Sequence, residues 1–332
     1  MSHVFNADQI EFAGLAAKAF AGLPGGDGGS EVAATRAALA ELGLPLLGVP
    51  EDAGGAGMTE LDLVLILEEA GYADVRVAIA ETVGLVAPLL ARHGTPEQRN
   101  TWFPALAQGT ALGTGYCPVR GPGSRTGADI ALAEHDGRVL LLDLREVTGA
   151  PPPVADLVRS SLASPLGGED RDPEPLVREL ASRGAWVAAA VLNGITRRLL
   201  DLSLDHARTR EQFGVPIGTF QAVRHMLAEV ASALEFARAP AWTAARCLAE
   251  DAPGTELAAH VAKATAARAG ALANDHALQV HGGIGFTKEH ELHRWLLHGH
   301  ELESRWGTAT THESALGRVG LHCDSLVTEF LP

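Results

Sequence analysis

Apolar residues recur three and four positions apart through most of the first hundred residues. FAGLAAKAF, VAATRAALAELG and LDLVLILEEAGYA each carry this spacing, which marks a helix with one buried face. Thr59 reads as the N-cap of the helix that holds Leu63, Ile66 and Leu67. In TPEQRNTWFPALAQG, Thr95 reads as a cap, Pro96 as a first-turn residue and Gly109 as the terminator. PEDAGGAGM, from Pro50 to Met58, breaks the pattern, and its proline and glycines predict a tight exposed loop.

From Thr114 to about Glu174 the helical period fades. VLLLDL, just after the turn at Asp136-Gly137, reads as a short strand. TGAPPPVADL and SPLGGEDRDPEP read as connectors, so this region is either a very small β element or a long linker. Helical spacing returns near Leu176 and persists through ASRGAWVAAAVLNGITRRLLDLSLDHARTR, TFQAVRHMLAEVASALEFARAPAWTAARCLAE, ELAAHVAKATAARAGALANDHALQVHGG and HELHRWLLHGHELESRWG. Thr219 reads as the cap of the second of these, and Gly282 and Gly283 stop the third. Four long helices with short connectors predict an antiparallel bundle. Their many alanines allow close approach, including by a further subunit. The fold class is mainly α, divided at 1–113, 114–175 and 176–332.

A net charge of -15, with 26 Lys and Arg, argues against nucleic acid or an anionic membrane as partner. Apolar runs are too short and interrupted to span a bilayer. The opening MSHVFNADQIEF lacks a basic start followed by an apolar run, so no secretory signal is expected and a cytoplasmic location is. Cys117, Cys247 and Cys323 form no metal-ligand spacing and read as free thiols.

Two stretches can hold an anion. In RTREQFGVPIGTFQAVRH, Arg210 offers a bidentate donor to a pyrophosphate and Phe213 a flat apolar face for a purine or a partner subunit. The next helix adds the weak positive field of its N-terminus. An ordinary interhelix loop is the competing reading. In QVHGGIGFTKE, the glycines let a backbone approach a ligand and Gln279 can donate or accept. A plain helix stop competes here too. His276, His281, His290, His293, His298 and His300 crowd the end of the chain, but no His-Glu-x-x-His spacing occurs; the acidic surroundings favour solvated histidines, and no metal is expected. No Gly-x-Ser-x-Gly is present; Ser124 lacks an obvious base, and Cys117 reads more readily as an inert thiol.

Taken together, GLPLLGVPEDAGGAGMTELDLVLILEEAG, TPEQRNTWFPALAQGTALGTGYCPVRGPGS, RTREQFGVPIGTFQAVRH and QVHGGIGFTKEHELHRW resemble the acyl-CoA dehydrogenase family over most of the chain. The resemblance implies an N-terminal helical domain, a middle β region and a C-terminal four-helix bundle. It also implies FAD, shared across a subunit interface. Arg210 would reach the pyrophosphate in a neighbouring subunit, Phe213 would pack on the adenosine end, and Gln212 and Gln221 would lie close by. Gln279, Gly282 and Gly283 would hold the pyrophosphate from the same direction, while Thr308 would sit near the flavin in the subunit's own half.

The departures from the family are as informative. Its members usually take a substrate α-proton with a Glu that precedes a Gly-Thr pair; here Trp306 precedes Gly307-Thr308. Other members place the base on the first bundle helix, near Gly184 and Ala185 in this chain. Glu179 and Glu303 lie close in sequence to these places and are expected to be solvated or structural. The middle region is about half the usual size, and the family's Thr-Glu-x-x-x-Gly-Ser-Asp has become Pro118 to Arg125. No catalytic residue is expected. The pattern resembles the small, base-less subunit of actinobacterial heteromeric acyl-CoA dehydrogenases of the steroid-degrading type. It implies a heterotetramer with a larger homologue that carries the catalytic Glu and most of the acyl-CoA site. A homomeric flavoenzyme with altered chemistry and a flavin-free scaffold are the alternatives.

Overall fold

The computed structural model describes residues 4–23, 29–117, 121–122, 128–145, 147, 154–160, 162–168 and 172–322. The N-terminal part holds α1 (Ala7–Ala21), α2 (Gly29–Glu41) and α3 (Glu60–Tyr72). A continuous run then passes through α4 (Ile79–Glu81), a π turn at Thr82–Val86 and α5 (Ala87–His93), before α6 (Pro96–Ala107). Thr59 and Thr95 cap α3 and α6. The Thr59 amide and hydroxyl donate to Asp62 at 2.7 and 2.8 Å, and the Thr95 hydroxyl accepts from the Gln98 amide at 3.2 Å. Gly109 ends the α6 segment with φ 67°.

The middle is a small sheet. Its strands are β1 (Gly113–Cys117), β2 (Gly121–Pro122), β3 (Ile130–His135), β4 (Arg138–Asp143) and β5 (Ala163–Pro165), in the order β2-β1-β3-β4-β5. β1 and β3 run parallel and the other pairs antiparallel. The one-turn α7 (Val154–Leu157) lies between β4 and β5. Asp136 and Gly137, at φ 47° and 74°, make the tight hairpin between β3 and β4. So the region is a small β element rather than a linker. Ser124, Arg125 and the stretch from Pro118 to Arg120 lie outside the described residues, as does Cys323.

The C-terminal part holds α8 (Glu174–Thr209), a hairpin of β6 (Glu211–Gln212) and β7 (Val215–Pro216), α9 (Gln221–Ala249), α10 (Thr255–His281), α11 (Leu292–Ser304) and α12 (Ala309–His322). α8 is buried on every side from Leu180 to Thr196, as a central helix must be. α3 crosses it so closely that a Cβ on Gly194 would lie 1.8 Å from the Glu68 carbonyl oxygen, so only glycine fits there. α9 buries Leu227, Val230, Leu234, Ala237 and Ala241, a stripe of three- and four-residue steps, against α8 and α10. Glu68 of α3, Arg238 and Trp242 of α9 form a buried polar knot, with Arg238 Nη2 2.8 Å from the carboxylate. Asp74, just beyond α3, receives Arg294 and His298 of α11 at 3.1 and 2.8 Å.

Three expectations need correction. The bundle includes α12, which the periodicity did not reveal, and its fourth helix is short. Thr219 does not cap α9: it sits in a 3-10 turn, its hydroxyl donates to the Pro216 carbonyl at 2.7 Å, and Phe220 occupies the cap position. The histidines near the end are not all solvated, because His281 and His298 are buried.

Candidate functional site

Two places carry the chemistry read from the sequence. The first lies at the end of α8. Arg210 follows the last helical residue and turns the chain outward; its amide donates to the His206 carbonyl at 2.8 Å and its carbonyl accepts from the Ile217 amide at 2.8 Å. The guanidinium is exposed and has no ion-pair partner among the described residues, whereas Arg208 pairs with Asp205 at 3.0 Å. At the tip of the β6–β7 hairpin, Phe213 adopts φ 54° and is 93% exposed, with its ring edge-on to Phe220 at 6.2 Å. A left-handed backbone at a bulky residue is unfavourable, and here it holds the phenyl ring out at the surface. Gln212 and Gln221 are exposed beside it, the Gln221 amide nitrogen 3.4 Å from His225 Nε2.

The second anion motif arrives from α10. Gln279 is exposed on its last turn, Gly282 reverses the chain with φ 61°, and nothing lies within 4 Å of the place a Cβ would take on Gly283. The His206 and His281 rings lie 4.4 Å apart, centre to centre, so histidines join the two motifs in space. His290 adds a third ring, 4.9 Å from His281 and 6.4 Å from His206. The three offer ring nitrogens within 4.8 Å of one another. His206 was not singled out in the sequence; it lies in the last turn of α8, and Arg210 follows just beyond that helix. Burial, then the charges of His290 and Arg210, hold the His206 pKa below the usual imidazole value. The unpaired Arg210 and the open glycine backbone suit a pyrophosphate group.

The other place is the position before the Gly-Thr pair. Trp306 is 1% exposed, with a left-handed backbone at φ 58°. Its indole lies on two glycines from different elements. A Cβ on Gly184 of α8 would come 2.2 Å from Trp306 Cδ2, and one on Gly115 of β1 would come 2.5 Å from Cζ2. Trp306 Nε1 donates to Glu81 Oε1 at 3.0 Å, and the other Glu81 oxygen accepts from the Thr114 hydroxyl. The backbone of this turn is pinned from inside. His312 Nε2 donates to the Trp306 carbonyl at 2.8 Å, and Lys263 Nζ donates to the Gly307 carbonyl at 2.8 Å. Burial lowers the Lys263 pKa to about 7. Thr308 accepts from the Thr311 amide at 3.2 Å and so caps α12; it belongs with the Trp306 turn, and no described contact links it to Arg210.

Glu179 and Glu303 are both engaged by neighbouring side chains. Glu179 receives Arg183 at 2.9 Å, Arg92 at 3.3 Å and His93 at 2.7 Å. Burial alone would raise its pKa, but the His93 hydrogen bond and the two guanidinium charges hold it at about 2. Glu303 sits beside Asn274 and His300, and burial raises its pKa. The other histidines have ordinary tasks: His276 meets Glu229 at 3.0 Å and His293 meets the His290 carbonyl at 2.7 Å.

A long bundle built on a buried first helix, beside a reduced sheet, defines the class. The chain belongs to the acyl-CoA dehydrogenase family. It matches the acyl-CoA dehydrogenase N-terminal domain over residues 28–110 and the C-terminal domain over residues 176–318. It is 37% identical to acyl-CoA dehydrogenase FadE34 of Mycobacterium tuberculosis over 86% of this chain, which corresponds to 43% of that longer protein. It is 31% identical to acyl-CoA dehydrogenase IpdE2 of the same organism, over 78% of each. Among solved structures it is similar to the steroid acyl-CoA dehydrogenase variant of Tcur3481-Tcur3483, with TM-score 0.76, 26% identity and coverage of 95% and 98% of the two chains. The ChsE4-ChsE5 complex of Mycobacterium tuberculosis has the same fold, with TM-score 0.81, 24% identity and coverage of 97% and 99%. So has PigA with FAD and proline, at TM-score 0.77, 18% identity and coverage of 96% and 98%. Among the described residues no helix is long and apolar enough to cross a membrane.

Proposed function

We propose that this chain is the base-less subunit of a heteromeric FAD-dependent acyl-CoA dehydrogenase, assembled as a heterotetramer with a larger homologue. The carrying observation is the Trp306 packing. The two places where the family puts its proton acceptor, 306 and 184, touch each other here as an indole and a glycine. An indole has no basic lone pair to take a proton. When bound, FAD supplies the hydride acceptor of an α,β-dehydrogenation. This chain's part is to hold the cofactor from across the interface. Arg210, Gln279, Gly282 and Gly283 face the pyrophosphate, and Phe213, with Gln212 and Gln221, meets the adenosine end. Thr308 serves the chain's own side. The partner provides the Glu and most of the acyl-CoA site. The solved relative named for steroid chemistry supports a bulky, steroid-derived acyl group.

The test is purification of the chain alone and co-expressed with a larger homologue, followed by mass measurement and an absorption spectrum. The co-expressed pair is expected to be yellow and active, with one active site per pair, and the chain alone close to colourless and inactive. A homomer with full flavin and turnover at one site per chain would overturn the proposal. A pair without any flavin spectrum would favour a scaffold.

A further inference from the structure

A cavity of about 820 Å³ lies where α1 and α2 face the end of α3, the middle of α8 and the start of α11. Small-molecule sites have volumes of about 300–1,000 Å³. Its lining is two-sided in chemistry. α1 and α2 contribute Ala17, Phe20, Leu23 and Val32, and the segment after α3 adds Val75 and Val77. The rest is cationic and aromatic: Arg76, Arg198, Lys288 and Arg294, with Tyr72 and Trp295. The cations outnumber the carboxylates that face them. Asp74 lies 3.2 Å from Arg76 and 3.1 Å from Arg294 and also receives His298, so one carboxylate serves two guanidiniums. Glu69, the other lining carboxylate, is taken by Arg197 at 2.7 Å. Arg198 leans over the rings of Tyr72 and Trp295, at 5.4 and 4.9 Å from their centres, and meets the exposed Glu291 at 3.4 Å. Its buried Nε has no hydrogen-bond partner, and a buried donor without an acceptor is costly. Lys288 is exposed and has no ion-pair partner among the described residues. This local excess of positive charge runs against the chain's net charge of -15.

We infer that this cavity binds a small amphipathic anion, with an apolar body on the α1–α2 wall and a carboxylate or phosphate head on Arg76, Arg198, Lys288 and Arg294. Guanidinium groups offer paired N–H donors that match either head. A free inorganic anion would leave the apolar wall unused, and a neutral hydrocarbon would leave the cations uncompensated. The site is separate from those described above. Arg198 stands 14 residues after Gly184 and 11 before α8 ends, which is ~21 and ~17 Å along the helix axis. Neither Trp306 nor Arg210 lines it.

The probes are decanoate, decyl phosphate and decanol, titrated by calorimetry into the co-expressed pair and into the full chain alone. A saturable site on this chain is expected for an acid in both preparations, and the tighter acid identifies the head group. Decanol should bind at least about tenfold more weakly. Arg198→Gln and Lys288→Gln should each weaken acid binding about tenfold, the loss of one charge-assisted contact. Val32→Trp fills the apolar side and should abolish the site, with circular dichroism reporting the fold. Lys288 is exposed, so its variant reads the site even where Val32→Trp disturbs packing. No saturable binding, decanol binding as tightly as the acids, or acid binding indifferent to all three variants would overturn the inference. Binding by the chain alone that disappears in the pair would also overturn it, because the partner then covers the cavity. Each of these results leaves the flavin reading standing.

Discussion

Replacing Trp306 with alanine is the sharpest perturbation of the proposed silent site. The side chain is 1% exposed and lies between Gly184 of α8, Gly115 of β1 and Leu85, so its removal leaves a hole that three separate elements cannot all close. Burying a tryptophan removes about 150–250 Å² from water, and large-to-small changes at such sites cost about 3–5 kcal/mol. Glu81 is also left with one donor fewer inside the protein, for a further ~1–3 kcal/mol. Urea unfolding followed by circular dichroism reads the sum. Trp306→Phe gives an intermediate change, since it keeps a six-membered ring but loses the N–H together with the five-membered ring that carries it, and should cost less than Trp306→Ala. Gly184→Ala supplies an internal check. Its new methyl would meet the indole at 2.2 Å, so it should destabilise the native chain by about 1–3 kcal/mol and cost far less in the Trp306→Ala background. If Trp306→Ala lies within about 1 kcal/mol of the native chain, or if Gly184→Ala costs the same in both backgrounds, the pocket is not filled as argued.

Three further outcomes are expected. Arg210→Ala should weaken FAD retention in the assembled pair by about 1.5–3 kcal/mol, or about 10- to 150-fold, with unchanged folding; equal flavin affinity by calorimetry refutes its role. Glu179, held at a pKa of about 2 when folded, contributes stability that is complete above the ordinary carboxylate range and lost as pH falls through that folded value. Glu179→Gln should therefore flatten the acid limb of the stability curve, by about 2–3 kcal/mol between pH 5 and pH 2 in urea titrations, and an unaltered limb speaks against it. Phe213→Ala should leave the stability of the isolated chain within about 0.5 kcal/mol, because the ring is solvent-exposed, yet lower the yield of assembled pair by sedimentation; normal assembly removes Phe213 from the interface.

Local pattern was enough to read much of this chain. Thr59 and Thr95 cap helices because a hydroxyl needs only the next turn for its partners, and Gly282 ends α10 because the stop is a property of one residue's backbone. The absence of a proton acceptor at 306 was a matter of residue identity. Other features depend on partners far along the chain. The small sheet could be a linker until β1 found β3 and β4 found β5, since strand pairing requires both strands. Phe220 displaced Thr219 as the residue before α9 because the hairpin set where that helix begins. Only the fold could bring His206 beside His281, 75 residues away, or seat Trp306 on glycines from α8 and β1 with its N–H on Glu81, 225 residues distant. Periodicity records which face of an element is buried. Which groups meet on that face is decided by how helices and sheet close on one another, and in this protein that closure seats the Trp306 indole against glycines of α8 and β1.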